Sequence, residues 1–315
     1  MNRIYYNDID VIKKDYKELF NSQRSQKLQK RWVDARAELI GLGGCNLVYP
    51  KKLSDIFVAD FENLAKIYFD YIRMASMIPK SMKEDIESIF RYTENRRAKI
   101  TEFFMNHAKQ IGISVCCYCD MSYVNTYRSN NGKRHSHFDL DHVLPKSKCP
   151  ITSLSLFNLV PCCPVCNQRL KRNTVWFADI NEAMISSPSS SQYGFDSKVK
   201  YRLIPNNSFR VIRYQENIDF FRVEFHTDSP IYKKMISSLY LDERYDFHKS
   251  EALRLLDKIQ DYPPTYIKMI HNALCQNGIS YSEAKIFEDI FGNKFMLEHN
   301  RTFGKLIRDI MKLYK

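Results

Sequence analysis

The sequence is short of acid. Its 315 residues hold 36 Asp and Glu against 48 Lys and Arg, giving a formal net charge of +12 and a pI near 9.1. An imbalance of that sign favours an anionic partner, because neutralising phosphates releases condensed counterions, though it does not separate DNA from RNA. Long apolar runs are also missing. No window approaches the roughly 18 uninterrupted apolar residues of a membrane span, so no membrane is expected. The start, MNRIYYNDIDVIKKDY, has no apolar signal core, and a chain of this size needs no disulfide staples. The nine cysteines therefore fit a reducing cytoplasm better than a secreted framework. Glycine is scarce, nine in all. There is no G-x-x-x-x-G-K-S/T loop and no G-x-G-x-x-G turn, so the chain is not expected to burn ATP itself. No internal repeat is visible. With 44% hydrophobic residues, the chain has enough apolar surface for two or three packed units.

What is present is concentrated in residues 116–171. Two Cys-x-x-Cys pairs, Cys116/Cys119 and Cys163/Cys166, bracket the dipeptide Asp141-His142, and Asn167 follows the second pair directly. Two residues between paired cysteines let one tight turn aim both sulfurs at a single tetrahedral ion, so these four are the expected ligands of a structural Zn²⁺. Cys117 and Cys162 lack that gap. The long insert between the pairs should carry structure of its own. SHFDLDHV (136–143) alternates as a strand does, which puts Asp139 and Asp141 on one face, with His142 at the strand end. SLFNLVP (155–161) is a second short apolar segment, and CPVCNQRLKR reads as the first turns of a helix carrying Asn167 inward.

These residue types suit phosphodiester hydrolysis. Such a reaction needs a deprotonated water and a counter-charge for the leaving oxygen. Histidine titrates near working pH, which makes His142 the natural general base. Asp141 and Asn167 offer hard oxygen ligands to a catalytic Mg²⁺ or Mn²⁺, completed by phosphate and water. Asn158 would fix the loop and orient the imidazole, and Asp139 is read as a structural carboxylate. Lys146, Arg169, Lys171 and Arg172 form a basic collar suited to nucleic-acid phosphates, with a solvated charge cluster as the alternative. His135 and His137 read as solvated strand residues, with phosphate contact as the alternative.

CCYC, DHVLP, NLVPC and CPVCN followed by QRLK, in that order, resemble the zinc-bearing HNH endonucleases, whose fold is the ββα-metal finger. The resemblance implies that His142, Asn158 and Asn167 are the three letters of the motif. It also implies a metal-dependent endonuclease leaving 5′-phosphate and 3′-hydroxyl ends, with DNA as the partner nucleic acid. HFDLDHVLPKS with SLFNLVPCCPVCNQRLK is further similar to HNH proteins of bacterial anti-phage systems of the Septu and retron-associated types, which implies an ATPase partner protein. An RNA- or tRNA-cleaving toxin with the same finger, and a non-catalytic zinc module that binds nucleic acid, are the alternatives.

The fold class expected is α+β, with mainly helical N- and C-terminal regions flanking the finger and a small antiparallel meander after it. Residues 1–110 are the helical region, with helices over 9–40 (interrupted), 55–77 and 83–112. Residues 111–180 are the finger and 181–315 the C-terminal region. There, ISSPSSSQYG (185–194) reads as a linker or exposed loop and VKYRLIP, FRVIRY and FFRVEFHT as three strands. The end, RTFGKLIRDIMKLYK, has an apolar face beside a basic one and is expected to pack onto its own domain, with docking on a partner or on nucleic acid as the alternative.

Overall fold

The computed structural model describes residues 2–21, 23–112, 114–206, 213–292 and 301–312. It is an α+β chain of two compact units, residues 1–118 with 122–195, and residues 119–121 with 196–315. Among the described residues, no helix is long and apolar enough to cross a membrane.

The first unit begins with α1 (Ile9–Glu18), α2 (Gln23–Gly41), α3 (Leu53–Phe57), α4 (Phe61–Met74), α5 (Lys80–Phe90) and α6 (Glu94–Asn106). The helix expected over 83–112 is broken in two, and the cause is local. Thr93 is extended (φ −72°, ψ 162°) and its hydroxyl accepts from the Arg96 amide, so a new helix starts there. The apolar stripe survives the break, with Ile86, Ile89, Phe90, Ile100, Phe103 and Phe104 all buried. Similarly, Asp60 caps α4 through the Asn63 amide, which divides the helix expected over 55–77 into α3 and α4. The Trp32 and Phe90 rings meet edge to face at 5.3 Å, and Tyr16 and Phe103 at 4.9 Å. Such aromatic pairs add directional packing to burial. In the GLGG turn, Gly43 has φ +100°, and any Cβ on Gly44 would meet the Leu39 carbonyl oxygen at 2.7 Å.

The same unit holds two antiparallel ribbons. The strand expected over 136–143 is divided between them. β1 (Thr126–Arg128) pairs with β2 (Arg134–Ser136), and β3 (Asp139–His142) pairs with β4 (Leu159–Cys162), with Asp141 opposite Val160 and His142 opposite Leu159. A π-helix, Val165–Lys171, follows β4, and α7 (Ile180–Ser186) comes after it. The loop between β3 and β4 is pinned to the helices by buried hydrogen bonds. Tyr16 Oη donates to the Leu154 carbonyl (2.9 Å), Ser155 Oγ to that of Ile56 (2.9 Å) and Ser153 Oγ to that of Phe90 (2.5 Å). The serine-rich stretch is packed rather than exposed: Ser186, Ser187 and Ser190 are buried, and the Ile4 amide donates to the Pro188 carbonyl.

The second unit holds all but the first residue of the single turn α8 (Phe195–Lys198). β5 (Lys200–Pro205) and β6 (Phe221–His226) form a two-stranded antiparallel sheet. Of the third run expected in that meander, residues 209–212 lie outside the described residues. α9 (Pro230–Ser238), α10 (Leu241–Asp246), α11 (Lys249–Asp261), α12 (Pro264–Gln276), α13 (Glu283–Phe291) and α14 (Gly304–Met311) complete the unit. Carboxylates close both edges of the sheet. Asp242 and Asp246 accept from the Phe225 and Val223 amides, and Asp309 accepts from the Tyr201 amide. The last helix packs within its unit, and part of its basic face is buried with it, although Lys312 stays half exposed. Lys305 lies buried 2.5 Å from Asp309, and Arg308 pairs with Asp196 at 2.7 Å.

Candidate metal centre and the cleft beside it

The sulfurs of Cys116, Cys119, Cys163 and Cys166 are buried and lie within 4.8 Å of one another, a group that could hold a metal ion such as zinc. The chemistry of the donors fits that ion. The Cys163 amide donates to Cys116 Sγ (3.3 Å) and the Cys166 amide to Cys163 Sγ (3.4 Å), contacts that stabilise thiolate charge. The chain reverses after Cys119 through Asp120, whose φ is +59°. Cys117 and Cys162 are buried beside the group without joining it, and burial pushes the Cys162 thiol well above its ordinary range.

A cleft of about 1150 Å³ opens beside this centre. His142, Asp141 and Asn167 all line it, as do Asp139, Lys146, Lys171 and Arg172. Asn158 and Arg169 do not. Asn158 is fully buried and acts on the loop. Its amide donates to the carbonyls of Leu144 and Thr152 (3.0 Å each), and its oxygen accepts from the Leu144 amide (2.7 Å). Arg169 is exposed.

His142 Nε2 lies 2.8 Å from the Ser153 carbonyl oxygen. A carbonyl only accepts, so Nε2 carries the proton and the lone pair of the neutral ring is at Nδ1. Burial lowers the imidazole pKa to about 4, and the nearby ammonium groups of Lys146 and Lys171 push the same way. The Tyr92 ring meets the imidazole edge to face at 4.9 Å, and Lys146 sits 4.9 Å above the Tyr92 ring. Tyr92 owes this position to the helix break before Thr93, and no local sequence signal marks it.

The two aspartates of β3 are held differently. Asp139 Oδ2 accepts from the side-chain amides of Asn167 (3.2 Å) and Gln168 (2.8 Å). Asp141 is buried. It accepts from Tyr118 Oη at 2.6 Å and pairs at 3.0 Å with Lys171, whose ammonium also lies over the Trp176 ring at 5.3 Å. Asn167 and Lys171 both face β3 because residues four apart on a helix share a face. The turn between them is a π turn, closed by the i to i+5 bond from the Arg172 amide to the Asn167 carbonyl (2.9 Å). Lys171 is thus an ion-pair partner of Asp141, whereas the collar reading had placed it on phosphate.

Among the described residues, the four cysteines form the one cluster of three or more His, Cys, Asp or Glu ligand atoms close enough to share an ion. The carboxylates and imidazole of the cleft do not converge to that degree. In comparisons with known proteins, no family model, no curated protein and no solved structure matches the chain.

Proposed function

We propose that the chain is a metal-dependent endonuclease of the HNH kind, cleaving phosphodiester bonds in DNA, with its structural zinc on Cys116, Cys119, Cys163 and Cys166. The observation that carries the reading is the gathering of His142, Asp141 and Asn167 in one basic cleft, on two antiparallel strands and a helix anchored by four cysteines.

His142 is suited to take a proton from water. Its Nδ1 lone pair is available, its ring is neutral at neutral pH, and the Ser153 carbonyl holds its orientation. Asn158 is a positioning residue, since it ties Leu144 to Thr152 and so sets the loop that presents Ser153. Asp141 and the side-chain oxygen of Asn167, with Asp139 beside them, are the hard donors that would hold Mg²⁺ or Mn²⁺, and their oxygen chemistry fits such an ion. When bound, that ion supplies positive charge against the phosphate and the leaving 3′ oxygen. Lys146 and Arg172 are placed to hold flanking phosphates.

A second reading, a zinc module that binds nucleic acid without cleaving it, is favoured by one observation. The Lys171 ammonium already satisfies the Asp141 carboxylate. Incubating purified protein with plasmid, single-stranded DNA and RNA, each with Mg²⁺, Mn²⁺ or no added ion, separates the two. The endonuclease reading expects ion-dependent products with 5′-phosphate ends. It also expects a loss of about 10²- to 10⁴-fold in His142→Ala at unchanged zinc content. Wild-type rates in that variant would remove the assigned base, and binding with no products under any ion would favour the module.

A further inference from the structure

The ribbon β1–β2 borders the cleft, and its two faces carry different chemistry. Side chains alternate along each strand, so Tyr127 and its cross-strand partner His135 share one face with His137, while Arg128 and Arg134 oppose each other on the other. Tyr127 stacks on His135 with ring centroids 5.1 Å apart and planes 18° apart, and leans on His137 at 4.8 Å. Both imidazoles are fixed from behind, His135 Nε2 lying 3.2 Å from Ser129 Oγ and His137 Nδ1 2.9 Å from Asn125 Oδ1. Tyr127 nonetheless stays 46% exposed. A pre-stacked aromatic with an open side, held on a ribbon, is a platform for another flat ring.

The other face says what accompanies that ring. Arg128 and Arg134 are cross-strand partners of like charge, and their hydrogen bonds run to neutral acceptors, Arg128 Nη1 to the Gly132 carbonyl (3.4 Å) and Arg134 Nη1 to Asn106 Oδ1 (2.5 Å), which leaves both charges open to an anion. Lys133, Arg134, His135 and Ser136 also line the cleft. A stacking ring on one face and positive charge on the other suit a strand that passes round the ribbon's edge, one base on the ring and the phosphates of its neighbours on the basic face.

We propose that β1–β2 captures an unpaired nucleobase of the strand entering the cleft, stacked on Tyr127, with its neighbouring phosphates on Arg128, Lys133 and Arg134. The proposal rests on the nucleic-acid reading above, not on hydrolysis, and it names the substrate feature recognised: a locally single-stranded segment. A fully paired base presents only its edge, and its faces are covered by neighbours.

The test uses full-length protein, zinc retained and no divalent ion added, with a single-stranded DNA oligonucleotide carrying one 2-aminopurine. Binding should quench the probe, and Tyr127→Ala should abolish the quench and weaken binding about tenfold, the worth of one stacked base. Tyr127→Phe should keep both. Arg128→Gln should weaken binding and lower its salt dependence while leaving the quench per bound strand unchanged. Equal quench in Tyr127→Ala and wild type, no quench in wild type, or equal quench with the probe base paired in a duplex would each overturn the proposal. Cleavage is scored separately. A strand quenched on Tyr127 but never cut supports the ribbon and sinks only the hydrolase reading, whereas normal cutting by Tyr127→Ala with unchanged affinity sinks only the ribbon.

Discussion

At the scale of single residues, the least replaceable side chain in the finger is a neutral one. Asn158 closes three hydrogen bonds to buried backbone, so Asn158→Ala strands one amide and two carbonyls at once. We expect it to lower stability by about 3 kcal/mol or more in denaturant titration. His142 makes stability depend on pH in a defined sense. Its folded-state pKa is about 4, below the ordinary histidine value near 6.5, so between those values the unfolded chain binds the extra proton. Stability should therefore fall as pH drops through that window, by up to about 3 kcal/mol from this ring. His142→Gln keeps a donor for Ser153 and cannot titrate, so it should lose less stability than wild type between pH 7 and pH 4.5. Lys171 gives a third expectation. If a divalent ion takes Asp141, it competes with the ammonium there, so Lys171→Met should bind Mn²⁺ several-fold more tightly by calorimetry. Unchanged or weaker binding would make Lys171 a scaffold cation only.

At the scale of elements, the four-cysteine group and the Asp-His strand were legible in the sequence, because paired thiols and strand alternation are local signals. Cys166→Ser should release the metal, measured by mass, and loosen the finger to proteolysis. Structural zinc contributes on the order of 10 kcal/mol of folding free energy, comparable to a domain's whole stability. Cys162→Ser should retain the metal. Other parts of the site were not legible. Tyr92 and Ser153 reach His142 from the break between α5 and α6 and from the loop after β3, while Tyr118 reaches Asp141 from the turn of the first cysteine pair and Lys171 from the end of the π-helix. Composition misled at the serine-rich stretch, where hydroxyls such as that of Ser186, donating to the Ala183 carbonyl, take up polar groups inside a packed unit. At α14 the packing of the apolar face was legible, but the acids that Lys305 and Arg308 find, Asp309 and Asp196, were not.

At the scale of the whole molecule, the excess of 48 basic over 36 acidic residues is a net figure, and part of the basic set is spent in buried ion pairs. The charge that matters for a polyanion is what faces the cleft, including Arg97, Lys133, Arg134, Lys146, Lys148 and Arg172. If about six of these meet phosphates, affinity should fall by about 10³-fold between 50 and 200 mM salt. Anisotropy without divalent ion measures this, and Arg97→Gln should reduce the logarithmic slope by about one.

Ser153 has two jobs. Its carbonyl accepts from the His142 ring while its hydroxyl donates to the end of α5 at Phe90. The finger is therefore no portable cassette. A peptide of residues 116–171 transplanted onto another scaffold would carry its sulfurs intact and its imidazole unaimed, and only grafts that bring the α5 terminus along would keep that ring in place.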